Sequence, residues 1–131
     1  MYQVYNVLSI EFLQARNLTV SLITCCSAVF HWKHEPRNNI HDVKFLIRCI
    51  GKRKYINIHK KLIEEDHLFE QSNPSTSKDV ETIMADKLEA NTNYSCAMSS
   101  VSGTIQSPPS QQVHFTTLPG SKLNIFWSLN C

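Results

Sequence analysis

The chain has 131 residues, 42% of them hydrophobic and 18% charged, which suits one globular domain with a single core and excludes a disordered chain. Its net charge of +2 is too small to point to nucleic acid, and its 3 glycines supply no Gly-rich phosphate-binding loop. The 5 cysteines are too few for a disulfide-framed miniature scaffold, and their odd number leaves at least one without an intrachain partner.

Residues 1–15 form an apolar lead-in with no cap or turn signal. The run at 5–13 is interrupted by Glu11 and has no basic residue before it, which makes it a poor signal peptide. No stretch of the chain is apolar enough for a transmembrane helix. From Arg16 onward the pattern changes to short β-rich runs divided by turn signals. Leu18, Val20 and Leu22 alternate with Thr19 and Ser21 as a first strand. Residues 25–27 turn the chain. Ala28, Phe30 and Trp32 alternate with Val29 and His31 as a second strand, which Pro36, Asn38 and Asn39 end.

Val43, Phe45, Ile47 and Cys49 predict a third strand with basic residues on its outer face. Residues 51–54 are expected to turn, and Tyr55, Ile56 and Ile58 to form a short edge strand. Residues 60–78 then form a long exposed connection, with room for a helical turn over 62–69. Strands resume at 80–88, with Ile83 and Ala85 inward, and at Tyr94, Cys96 and Met98. Pro108 and Pro109 mark a turn before a last strand at Val113 and Phe115. Seven short strands with regular turn signals predict an all-β fold, a seven-stranded antiparallel β-sandwich. Domain boundaries follow as 1–15 lead-in, 16–120 domain, and 121–131 tail. The apolar tail is expected to begin a further segment or to be non-native sequence.

Three local patterns carry a family resemblance. The run 28–32, Ala-Val-Phe-His-Trp, followed by Pro36, resembles the second strand of fibronectin type III domains, with its core tryptophan before a proline. Leu88-Glu89-Ala90-Asn91-Thr92-Asn93-Tyr94 is similar to that family's tyrosine corner, with Ala90 at the usual proline position. Val113-His114-Phe115-Thr116-Thr117-Leu118-Pro119 resembles its closing strand. An immunoglobulin domain would place the cysteine on the second strand and the tryptophan on the third, the reverse of what stands here. A cytokine-receptor module would carry a Trp-Ser-x-Trp-Ser motif, and Trp127-Ser128 stands alone. The segments around Cys49 and Cys96 also look like ectodomain modules of receptor-type protein tyrosine phosphatases such as the leukocyte common antigen. The chain has no His-Cys-x5-Arg phosphate loop of its own.

The resemblance implies a structural core of Phe30, Trp32, Phe45, Ile47, Leu88 and Tyr94. It also makes the strands of Cys49 and Cys96 antiparallel neighbours, so these two cysteines are the disulfide candidates, with two buried thiols as the alternative. It implies a non-catalytic protein-binding or spacer module without cofactor, at the cell surface or outside the cell, as part of a larger receptor or adhesion protein. Its partners would be a protein ligand or neighbouring domains, with membrane contact only through that parent protein. The alternatives are an intracellular or viral interaction domain with reduced cysteines, or a small hydrolase or metalloprotein.

Asn17 and Asn93 open glycosylation sequons, whereas Pro74 excludes Asn73. Lys52, Arg53, Lys54, Lys60 and Lys61 are candidates for a patch binding an anionic lipid or a glycosaminoglycan. The plainer reading of the same residues is a solvated turn beside an edge strand. Cys25, Cys26, His31 and His34 make a poor metal set, since vicinal cysteines rarely both bind one ion and the two histidines fall on opposite faces.

Overall fold

The computed structural model describes residues 14–34, 43–74 and 80–120. The expected lead-in up to residue 13, the turn at Pro36, Asn38 and Asn39, and the tail 121–131 lie outside the described residues.

The strands are β1 (Arg16–Ser21), β2 (Ala28–Lys33), β3 (Val43–Ile56), β4 (Leu62–Pro74), β5 (Val80–Ala85), β6 (Asn93–Ser102), β7 (Ile105–Gln106) and β8 (Val113–Thr116). They form two antiparallel sheets. One has the order β1-β2-β5, and the other runs β4-β3-β6-β7 with β8 also paired to β6. This is the β-sandwich the alternation predicts. Inward residues of both sheets meet in one core, because each strand sends every second side chain to the same face.

Aromatic rings link the two layers. Trp32 of β2 meets Phe45 of β3 edge-on at 5.5 Å between centroids, and Phe30 meets Phe115 of β8 at 5.7 Å. Phe115 in turn stacks on Tyr94 of β6 at 5.6 Å. Ile47, Met98, Leu88, Ala28 and Ala85 fill the space between them and are buried.

Several sequence expectations need correction. Leu22 does not continue the first strand: β1 ends at Ser21, and Leu22 takes a φ of 49° and is 75% exposed. Residues 51–54 do not turn, because β3 runs unbroken through them to Ile56. The stretch after Lys60 is neither a loop nor helical but the 13-residue strand β4, paired with β3 residue for residue from Ile56↔Leu62 to Lys44↔Pro74.

Both β3–β4 corrections have the same cause. The turn sits at Asn57 and the residues after it, where the Asn57 side-chain Oδ1 accepts from the amides of His59 and Lys61. Folding back there sets the basic run Lys52-Arg53-Lys54 against Asp66, Glu65 and Glu64 in register. Opposite charges directly across an antiparallel ladder support the pairing. Gly51 serves close approach rather than a turn. It lies opposite Tyr94, and a Cβ built on it would stand 2.5 Å from Tyr94 Cε1.

The expected turn at Pro108 and Pro109 instead runs beside β6. Neither proline nitrogen can donate, so the flanking serines carry the contact. Ser107 N donates to Ser100 O while Ser107 Oγ accepts from Ser100 N, and Ser110 does the same with Met98.

Candidate interaction surface

Cys49 and Cys96 are direct partners across β3 and β6, fully buried, and joined by a disulfide with an S–S length of 2.04 Å and a Cα–Cα distance of 4.1 Å. The bond links two strands of the same sheet, unlike the inter-sheet bridge of immunoglobulin domains. Its position follows from strand phase. Phe45, Ile47 and Cys49 share the inward face of β3, and Tyr94, Cys96 and Met98 share that of β6. Cys25, in the β1–β2 turn, is also disulfide-bonded and buried.

The tyrosine corner closes one pole of the sandwich. Tyr94 is buried, and its hydroxyl accepts from the amide of Glu89 at 2.8 Å. Burial in this apolar setting holds the phenol above its usual pKa. Ala90 stands where the family's corner has proline; the corner forms nonetheless, and Ala90 O accepts from Thr92 Oγ1 at 2.9 Å. Thr117 completes it, accepting from Thr92 N and donating to Glu89 O. This threonine is a fully buried polar residue that sequence reading placed only in a closing segment.

The β3–β4 arm passes beyond this pole. β6 follows β3 only as far as the pair Lys52↔Asn93; the remaining four residues of β3 pair with β4 alone. Two faces result. On the outer face two charged rungs, Lys52 with Asp66 and Lys54 with Glu64 at 3.6 Å, stand between two apolar ones, Ile50 with Leu68 and Ile56 with Leu62. On the other face Glu65 gathers three partners. It accepts from Tyr55 Oη at 3.1 Å, meets His67 Nε2 at 3.2 Å and lies 3.8 Å from Arg53, which also stacks over the Tyr55 ring. Hydrogen bonding from His67 and then from Tyr55 lowers the pKa of Glu65, and the same Glu65 contact raises that of Tyr55.

The five cations singled out from sequence therefore do not form one patch. Lys52 and Lys54 share the outer face, Arg53 lies on the opposite face, and each of the three has a carboxylate across the ladder. Lys60 and Lys61 stand apart in the turn, with no carboxylate within 4.0 Å among the described residues.

The glycosylation candidates are both exposed. Asn17 occupies a bulge in β1 with φ 54°, a left-handed conformation that asparagine tolerates better than most residues. Asn93 opens β6, and its Oδ1 accepts from Thr116 Oγ1.

Among the described residues the histidines do not converge on a reactive centre. His31 lies between Ser21 Oγ and Thr82 Oγ1, each at 3.1 Å, across three strands of one sheet. His114 meets Ser95 Oγ at 2.8 Å in the other sheet. Neither contact includes a carboxylate that would orient the imidazole as a base. His34, expected among the loose candidates near the end of β2, is instead buried 2.6 Å from the Glu81 carboxylate and 5.0 Å from the Phe45 ring. Among the described residues no group of three or more His, Cys, Asp or Glu is placed to hold a metal ion, and no helix is long and apolar enough to cross a membrane.

Solved structures share this architecture. The fibronectin type III domain of the human KIAA0970 protein is similar at a TM-score of 0.57 and 12% identity, covering 91% of this chain and 83% of that one. The third such domain of the human KIAA0343 protein is similar at 0.51 and 19% identity, covering 86% and 88%. A computationally redesigned β-sandwich protein is similar at 0.50 and 21% identity, covering 82% and 92%. No protein-family model and no curated protein sequence matches the chain. The chain has the fibronectin type III fold.

Proposed function

We propose that the chain is a non-catalytic binding and spacer module of a cell-surface or secreted protein, with a protein ligand or its own neighbouring domains as partners. The observation that carries this reading is the buried Cys49–Cys96 bond. Disulfides of this kind persist in oxidising compartments and are rare in the cytosol. The two exposed sequon asparagines, Asn17 and Asn93, are consistent with passage through the same compartment. The broad outer face of the β4-β3-β6-β8 side is the surface it would offer a protein ligand.

The test is chemical. The chain is secreted from cultured eukaryotic cells, unfolded in denaturant and alkylated without reduction, then mapped by mass spectrometry. Because both cysteines are fully buried, denaturant must be present to expose free thiols; Cys49 and Cys96 are expected to stay unmodified until reductant is added, and Asn17 or Asn93 to carry glycan. Alkylation of both cysteines in the unreduced protein would reverse the assignment in favour of an intracellular interaction domain of the same fold.

A further inference from the structure

The free end of the β3–β4 arm combines two properties found together nowhere else along it. No acidic residue occurs between Val43 and Ile63, and the acids that follow are used up in order: Glu64, Glu65, Asp66 and Glu70 face Lys54, Arg53, Lys52 and Arg48. Charge is therefore cancelled rung by rung down the arm, and Lys60 and Lys61 remain at its end with His59 beside them. Residues 56–62, which hold those lysines, also hold three exposed aliphatic side chains, Ile56 at 70%, Ile58 at 92% and Leu62 at 62%.

We propose that this tip contacts an anionic bilayer surface, with Ile56, Ile58 and Leu62 entering the interfacial layer while Lys60 and Lys61 meet lipid headgroups. The inference goes beyond the binding-module reading and gives the domain a membrane contact of its own. Three features argue for lipid over other occupants. The tip is the end of a two-stranded hairpin with three exposed aliphatic side chains, so a protein partner would need a matching pocket, whereas a bilayer interface accommodates an apolar protrusion of any outline. A sulfated glycan would use the lysines and leave the three aliphatics with no role. The backbone is already satisfied within the tip. Asn57 N donates to Lys61 O, Lys60 N to Asn57 O, and the amides of His59 and Lys61 to Asn57 Oδ1. A turn closed on itself in this way carries few bare amides into a medium that cannot solvate them. The lysines add electrostatic attraction at an anionic surface, and the aliphatics add burial; neither set alone gives stable attachment.

The experiment is co-sedimentation of the full chain with vesicles of phosphatidylcholine alone and of phosphatidylcholine mixed with phosphatidylserine. Binding is expected only to the mixed vesicles, and to weaken as salt rises. Ile58→Ser should weaken it by roughly tenfold or more, the value of one buried aliphatic side chain. Lys60→Gln and Lys61→Gln should each weaken it about fivefold. Lys52→Gln, whose lysine already faces Asp66, should weaken it less than either tip lysine. In an Ile58→Trp variant, tryptophan emission should shift to the blue on mixed vesicles and stay unchanged with heparin. Absence of binding to mixed vesicles overturns the proposal. So does binding that Ile58→Ser leaves intact, or heparin retention that depends on Lys60 and Lys61 with no vesicle binding, which would make the tip a glycan site. The disulfide and glycan mapping above does not depend on these outcomes.

Discussion

From Val43 to Cys49, every second residue of β3 enters the core, and the strand has β4 on one side and β6 on the other. From Arg53 to Ile56 the same strand keeps its alternation but has left the sandwich, with only β4 beside it. The first half is held by hydrophobic burial and a disulfide. The second is held by a ladder, opposed charges and the Glu65 cluster of half-buried polar groups. Burial of a large side chain stabilises by kilocalories, whereas exposed charge pairs contribute tenths. The arm is therefore the part of the sheet that a partner can reshape at little cost, and the core half is the rigid base that positions it.

The comparison breaks most readily at its rigid end. Trp32→Ala empties the space against Phe45 and should destabilise by about 3–5 kcal/mol, much of the stability of a domain this size. A thermal unfolding curve unchanged by this substitution would refute the core assignment. Loss of the Cys49–Cys96 bond, as Cys49→Ala with Cys96→Ala, should come next. The bond spans a sequence separation of 47, for which the chain-entropy model gives roughly 4 kcal/mol, less whatever the smaller side chains recover by repacking. Denaturant midpoints of wild type and the double variant, both without reductant so that the bond of Cys25 stays intact, measure it, and equal midpoints would show that the Cys49–Cys96 bond does not constrain the chain.

Gly51 marks the boundary between the two halves, and its substitution sharpens where that boundary lies. Gly51→Ala places a methyl 2.5 Å from Tyr94 Cε1 and 2.8 Å from Thr92 Cγ2. Tyr94 cannot swing away freely, since its hydroxyl is tied to Glu89 N. The expected loss is about 1–3 kcal/mol in urea unfolding. An unaffected Gly51→Ala protein would mean that the ring does not lie across β3. Tyr94→Phe should fall at the lower end of the same range, because it removes only the hydroxyl contact. It also has a signature in pH. The folded-state pKa of Tyr94 lies above the ordinary 10.0, so its contribution is complete below that value and is lost as pH rises through the folded pKa. Tyr94→Phe should lose less stability than wild type over that alkaline window.

These residues also show what the chain discloses before folding. Strict alternation made β2, the first half of β3, β5, β6 and β8 legible, and so placed Trp32, Phe45, Cys49 and Cys96 on inward faces; the pairing of the two cysteines came only from the family resemblance, which made their strands neighbours. The arm was not legible, for two physical reasons. Glycine beside a basic run reads as a turn unless one knows that a tyrosine ring from another strand occupies the place of its side chain. Glu64, Glu65 and Asp66 read as a solvated loop until they are set opposite Lys54, Arg53 and Lys52, a complementarity visible only when the turn is centred near Asn57. Thr117 and His34 were missed because nothing local distinguishes a buried, bonded polar residue from an exposed one.

The smallest effect tests the arm itself. Lys54 and Glu64 face each other across the ladder at 3.6 Å, both largely exposed, so removing one charge should cost only about 0.2–1 kcal/mol. Lys54→Glu puts two carboxylates opposite each other and should lower the urea midpoint slightly; adding Glu64→Lys should return it to near the wild-type value. The double-mutant cycle isolates that coupling from any change in solvation of the single residues. Added salt should shrink the coupling without abolishing the fold, because the pair is exposed to screening while the core half is not. A register shifted by one residue would move Lys54 to the opposite face from Glu64, and the exchanged pair would then fail to recover stability. Recovery in the exchanged protein thus reports the pairing of β3 with β4 directly, at the end of the arm where hydrophobic burial contributes least.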